Sequence, residues 1–94
     1  MKEIHLLIEG RVQHVGFRRY LLQKAESLNL LCWVRNNEEG SVETFARGDD
    51  VGIISFIDAC HQGPLFAHVV NVNILPITQE NRNYASSEAF RVLR

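Results

Sequence analysis

Ile8-Glu9-Gly10-Arg11-Val12-Gln13-His14-Val15-Gly16-Phe17-Arg18 is the stretch where the pattern of the chain changes. Upstream, Ile4, Leu6 and Ile8 alternate with His5, Leu7 and Glu9, the two-residue period of a strand with one face on a core. Downstream, Phe17, Tyr20, Leu21, Lys24, Ala25 and Leu28 recur at helical spacing, with the Lys24 stem expected along the apolar edge. Between the two lies a short loop opened by Gly10 and closed by Gly16, with Arg18 at its end. A strand feeding a helix in this way sets unpaired N–H groups and the positive end of the helix dipole at the loop, which suits an anion. Arg18 adds a planar fork of donors matched to phosphate oxygens, and glycines let the backbone approach a ligand closely. The same residues also describe an ordinary strand-to-helix turn with a surface arginine, and on their own they leave both readings open. The loop lacks the Gly-Lys-Ser/Thr ending of a nucleotide-phosphate loop, and Gly10 and Gly16 stand too far apart for a dinucleotide fingerprint. What remains is a nest for one small anion.

Working outward, Leu31 to Asn37 and Ser41 to Arg47 read as strands joined by the turn Asn37-Glu38-Glu39-Gly40, with Gly40 at positive φ. Asn29 ends the first helix in the left-handed conformation that asparagine tolerates. Gly48-Asp49-Asp50 supplies a stop and an N-cap for a second helix, whose apolar stripe is Ile53, Phe56, Ile57 and Cys60. Gln62-Gly63-Pro64 ends that helix. Residues 68–75 alternate again, with Val70, Val72 and Ile74 on one face and Asn71 and Asn73 on the other, and Pro76 closes the strand. Residues 79–88 read as an exposed polar loop, and Phe90-Arg91-Val92-Leu93 as a short final strand. The order β-α-β-β-α-β plus a terminal strand predicts an α+β, ferredoxin-like split βαβ sandwich, an antiparallel sheet with two helices on one face. That fold hosts many functions, RNA recognition among them, and does not choose between them.

The 94 residues suffice for one modest core and read as a single domain, 1–94. A net charge of −1 gives no global field for nucleic acid or an anionic membrane, so any anion site is local. Met1-Lys2-Glu3 opens no signal-peptide core and no apolar run is long enough to span a bilayer, so the expected location is cytoplasmic. Cys32 and Cys60 lack C-x-x-C spacing and read as two buried thiols, although two cysteines also allow one disulfide. His5, His14, His61 and His68 form no ligand cluster, so no metal and no other cofactor is expected. Nor is there a Gly-x-Ser-x-Gly elbow or another sign of a covalent nucleophile.

Two signatures give the chain a close resemblance to the acylphosphatase family. The first is carried by Ile8, Gly10, Val12, Gln13, His14, Val15, Phe17 and Arg18, and the second by Trp33, Val34, Arg35, Asn36, Gly40, Val42 and Gly48. Cys32 stands where the family usually has glycine, His14 where glycine is the commoner choice, and Asn29 where a glycine often ends the first helix. The resemblance implies hydrolysis of acyl phosphates to carboxylate and inorganic phosphate, with phosphate as product and competitive inhibitor, by a monomer. It assigns Arg18 to the phosphate and Asn36 to the attacking water, with the backbone N–H groups of Gln13, His14, Val15, Gly16, Phe17 and Arg18 as the cradle. The residue set suits the reaction. A carboxylate leaves without a proton because its conjugate acid has a pKa of roughly 4 to 5. Phosphoryl transfer asks mainly for positioning and charge stabilisation. An amide can hold a water through its carbonyl. His14 reads as an exposed loop residue, with ligand contact as the alternative. Arg11, Arg19 and Arg35 are expected to add positive potential at the mouth, Arg19 rather as solvated charge. Phe17 and Trp33 read as core. A ferredoxin-like RNA-binding module is the contrasting reading, but Gly40-Ser41-Val42-Glu43-Thr44-Phe45 lacks the RNP1 pattern. A small-anion sensor without turnover is the other.

Overall fold

The structure is a computed structural model that describes residues 1–80 and, for strand pairing, residues 90–93. Its elements run β1 (Lys2–Arg11), α1 (Phe17–Ser27), β2 (Leu31–Asn36), β3 (Val42–Gly48), α2 (Asp50–Gln62), β4 (His68–Ile74) and β5 (Phe90–Leu93). The sheet order is β4-β1-β3-β2-β5. The first four strands pair antiparallel in the ferredoxin-like order, and β5 extends the sheet by pairing parallel to β2. The part of the expected 79–88 loop from residue 81 onward lies outside the described residues.

Local signals set the element ends. Asn29 takes φ 57°, and the Leu30 and Asn29 N–H groups bond back to the Ala25 and Glu26 carbonyls, closing α1 as a Schellman motif. Gly40 turns the β2–β3 hairpin at φ 99°. The Asp49 carboxylate accepts from the Gly52 N–H at 2.6 Å and caps α2. Ile4, Leu6 and Ile8 of β1 pack with Phe17, Leu21 and Ala25 of α1 and with Ile53, Phe56 and Cys60 of α2 in the main core. Lys24 is exposed, and Leu22 flanks the apolar stripe instead. Both cysteines are free and buried. Burial pushes the Cys32 thiol up to about 12, so at neutral pH it is a small apolar group rather than a nucleophile.

One strand expectation is corrected. The alternation read into β4 breaks at Val70. Asn71 pairs with Glu9 but Val69 pairs with Gly10, which leaves Val70 as the extra residue of a bulge. Val69 and Val72 therefore face the core, while Val70 stays exposed. Gly10 permits this approach: a Cβ there would lie 2.1 Å from the His68 carbonyl oxygen. Gly10 is thus a β1 residue packed on β4, not part of the anion loop.

The far face of the sheet also buries side chains, with Trp33 in a core as its sequence position implied. Trp33 and Phe45 stack with ring centroids 6.2 Å apart, both buried, with Ile77 against them. Beside them Glu43 is held between Arg35 and His5. Arg35 donates to its Oε1 from Nε at 3.1 Å and from the terminal nitrogen at 2.8 Å, and His5 Nε2 lies 2.5 Å from Oε2. Burial raises the Glu43 carboxyl, but hydrogen bonds from Arg35 and His5 and their charges outweigh it and hold it below its ordinary value. A carboxylate lowered on folding stabilises the native state above its unfolded value, about 4.3, and loses that contribution as pH falls through the folded value. Thermal stability should therefore decline as the pH falls below about 5. The Glu43→Gln variant should be less stable at pH 7 and show a flatter profile over that acid range in thermal melts. A parallel decline in both proteins would assign acid sensitivity to other carboxylates.

Candidate active site

Residues 12–16 link β1 to α1. Val12 is buried and anchors the loop from below. The Gln13 side chain donates from Nε2 to the Asn37 and Ser41 carbonyls at 2.7 and 2.9 Å, stapling the loop to the β2–β3 hairpin. That side chain is a structural tie. His14 and Gly16 both lie in the left-handed region, at φ 61° and 79°. Such residues turn successive N–H groups toward one side and form an anion-binding concavity. The first helical bond runs from the Tyr20 N–H to the Gly16 carbonyl, and among the described residues no protein acceptor meets the N–H groups of 13–18. His14 is exposed and lies at positive φ, where glycine is the easier residue.

Arg18 and Asn36 line one cleft of about 410 Å³. Arg18 enters from the first turn of α1. Asn36 enters from the last residue of β2, on the helix-facing side that it shares with Cys32 and Val34. Both are half-buried, and among the described residues neither side chain has a hydrogen-bond or ion-pair partner. Val12 and Phe17 supply the apolar base of the cleft, and His14 and Gly16 its rim. Val15 lies on the other side of the loop, beside a broader depression of about 600 Å³ shared with Arg11 and Phe66. That depression lacks both Arg18 and Asn36.

The three arginines expected at the mouth separate. Arg35 is paired with Glu43 on the far face of the sheet, so its charge is compensated and does not serve the mouth. Arg11 sits at the second depression. Arg19, read from the sequence as solvated charge, lines the cleft with Leu22. The helical repeat carries the missing signal, because Leu22 lies one turn beyond Arg18 and Arg19, at offsets of four and three residues. Among the described residues no group of three or more His, Cys, Asp or Glu is placed to hold a metal ion.

The family model for acylphosphatase matches residues 4–92. An acylphosphatase of Geobacillus kaustophilus is 40% identical over 76 residues, 81% of each chain. The crystal structure of acylphosphatase from Bacillus subtilis superposes with a TM-score of 0.84 at 27% identity, covering all of both chains. An acylphosphatase from Coxiella burnetii superposes with a TM-score of 0.80 at 34% identity, over 97% of this chain and 90% of that one.

Proposed function

This chain belongs to the acylphosphatase family, and on that footing we propose that it hydrolyses acyl phosphates in the cleft between α1 and the end of β2, with Arg18 holding the phosphoryl group and Asn36 the water. One observation carries the reading. The fork of Arg18, the amide of Asn36 and the loop residues His14, Gly16 and Phe17 line one cleft, and neither the two side chains nor the loop N–H groups have protein partners among the described residues. Unpaired donors converging on a concave site are arranged for an anion.

The steps follow from the groups. The phosphate oxygens take the loop N–H groups and the guanidinium, which stay in place as charge spreads over the equatorial oxygens. Asn36 accepts from a water through its carbonyl and sets it in line with the acyl oxygen. Water forms the new P–O bond as the bond from phosphorus to the acyl oxygen breaks. The electron pair leaves on the carboxylate, and the proton of the water ends on phosphate. The products are a carboxylate and dihydrogen phosphate, and no general acid is called for. Every group used comes from one chain, so a monomer suffices.

The RNA-binding reading needs exposed aromatics on the sheet, and Trp33 and Phe45 are buried against each other. No helix among the described residues is long and apolar enough to cross a membrane.

The test is phosphate release from benzoyl phosphate in excess EDTA, with inorganic phosphate as competitor and as ligand in thermal melts. Turnover should persist, and phosphate should raise the apparent KM. At a hundred times its Kd, phosphate should stabilise the fold by about 2.7 kcal/mol, a rise in Tm on the order of 10 °C. Phosphate binding without turnover would reduce the cleft to a sensor. No effect of phosphate on either measurement would remove the site from this cleft.

A further inference from the structure

We propose that Arg19 is a specificity residue that reads a negatively charged acyl group, so that the favoured substrates are acyl phosphates bearing a second, free carboxylate. The inference rests on the catalytic reading of the cleft and adds what its other wall does. Among the described residues no acidic side chain lines the cleft, while two arginines do. With Arg18 on the phosphoryl group, the second cation faces whatever lies beyond it. Among the described residues Arg19 has no ion-pair partner, and its helix neighbours three and four positions away are Val15, Gly16, Leu22 and Gln23, none of them acidic. Successive helix residues point about 100° apart, so Arg18 and Arg19 address different parts of one ligand. Leu22, one turn on, gives an apolar shelf between the charges for a short methylene spacer. A cleft of about 410 Å³ also has room for more than a phosphoryl group. A neutral acyl chain would use the shelf and leave Arg19 idle.

The experiment compares glutaryl phosphate with pentanoyl phosphate, matched in chain length and differing in the terminal carboxylate, in the native enzyme, Arg19→Gln and Arg19→Lys. The native enzyme should prefer glutaryl phosphate in kcat/KM at low ionic strength. Arg19→Gln should cut that preference about 3- to 10-fold, mostly through KM for glutaryl phosphate, and Arg19→Lys should retain most of it. Because Arg19 is exposed, raising the salt should narrow the gap between native and Gln enzymes. Equal kcat/KM for both substrates in the native enzyme, or a preference that Arg19→Gln leaves intact, would overturn the proposal. Pentanoyl phosphate keeps the two readings apart. If it is hydrolysed while the glutaryl preference is missing, only the Arg19 assignment falls. If neither substrate turns over, the catalytic reading fails with it.

Discussion

Asn36→Ala should lower kcat on benzoyl phosphate by about 10²- to 10³-fold while the affinity for inorganic phosphate barely changes, the magnitude of losing one preorganised polar group at a reacting centre. The argument begins with what the side chain does not do. Asparagine at a strand end usually serves the turn. Here Asn37 does that work: its N–H donates to the Ser41 carbonyl, its Nδ2 to the Ser41 hydroxyl, and its carbonyl accepts from Gly40. Asn36 keeps the β2–β3 ladder through its backbone opposite Val42 and leaves its amide facing the cleft. Truncation therefore removes little from the fold and much from the reaction. Melting curves with and without phosphate, measured beside kcat, separate the roles. Near-normal kcat in a well-folded variant would end the water-positioning assignment, and a collapse in stability would return Asn36 to the turn.

Arg18 has a different profile because it meets the phosphate both before and during the reaction. Arg18→Ala should reduce kcat/KM by about 10³-fold or more and abolish the stabilisation that phosphate gives the native chain. Arg18→Lys should recover little, since the ammonium keeps the charge but loses the planar fork. Without ligand, both variants should melt close to the native chain, because the guanidinium has no protein partner among the described residues. A lysine variant with half the native activity would mean that charge alone suffices, and the proposed fork geometry would be wrong.

Much of this was legible in the residues because it is local. The alternation of Ile4, Leu6 and Ile8, the left-handed Asn29 and Gly40, and the Asp49 cap each depend on a few neighbours in sequence. The same holds for the pairing of a helix N-terminus with Arg18. What escaped depends on partners far along the chain. The alternating polar face of β1 looks the same whether water or protein covers it, and only the structure brings His5 to Glu43, 38 positions away. That contact also explains Arg35, whose charge looked available until its partner came into view. The phase of β4 was misread because a bulge leaves no mark in hydrophobic periodicity. Arg19 was a different case, since its place beside the cleft follows from the turn of α1 that also presents Arg18.

The bulge at Val70 bears on how copies of the chain behave toward one another. β4 is an outer strand of the sheet, and His68-Val69-Val70-Asn71-Val72-Asn73-Ile74 is rich in valine and lacks any Lys, Arg, Asp or Glu. Such a segment invites a second molecule to add its own strand, the first step toward aggregation. A flat, regular ladder would offer a straight template. The extra residue locally disrupts that ladder and twists the strand, so an incoming chain cannot match it along its length. Gly10 is what makes room for that irregularity, because a Cβ there would collide with the β4 backbone at His68 and Val70.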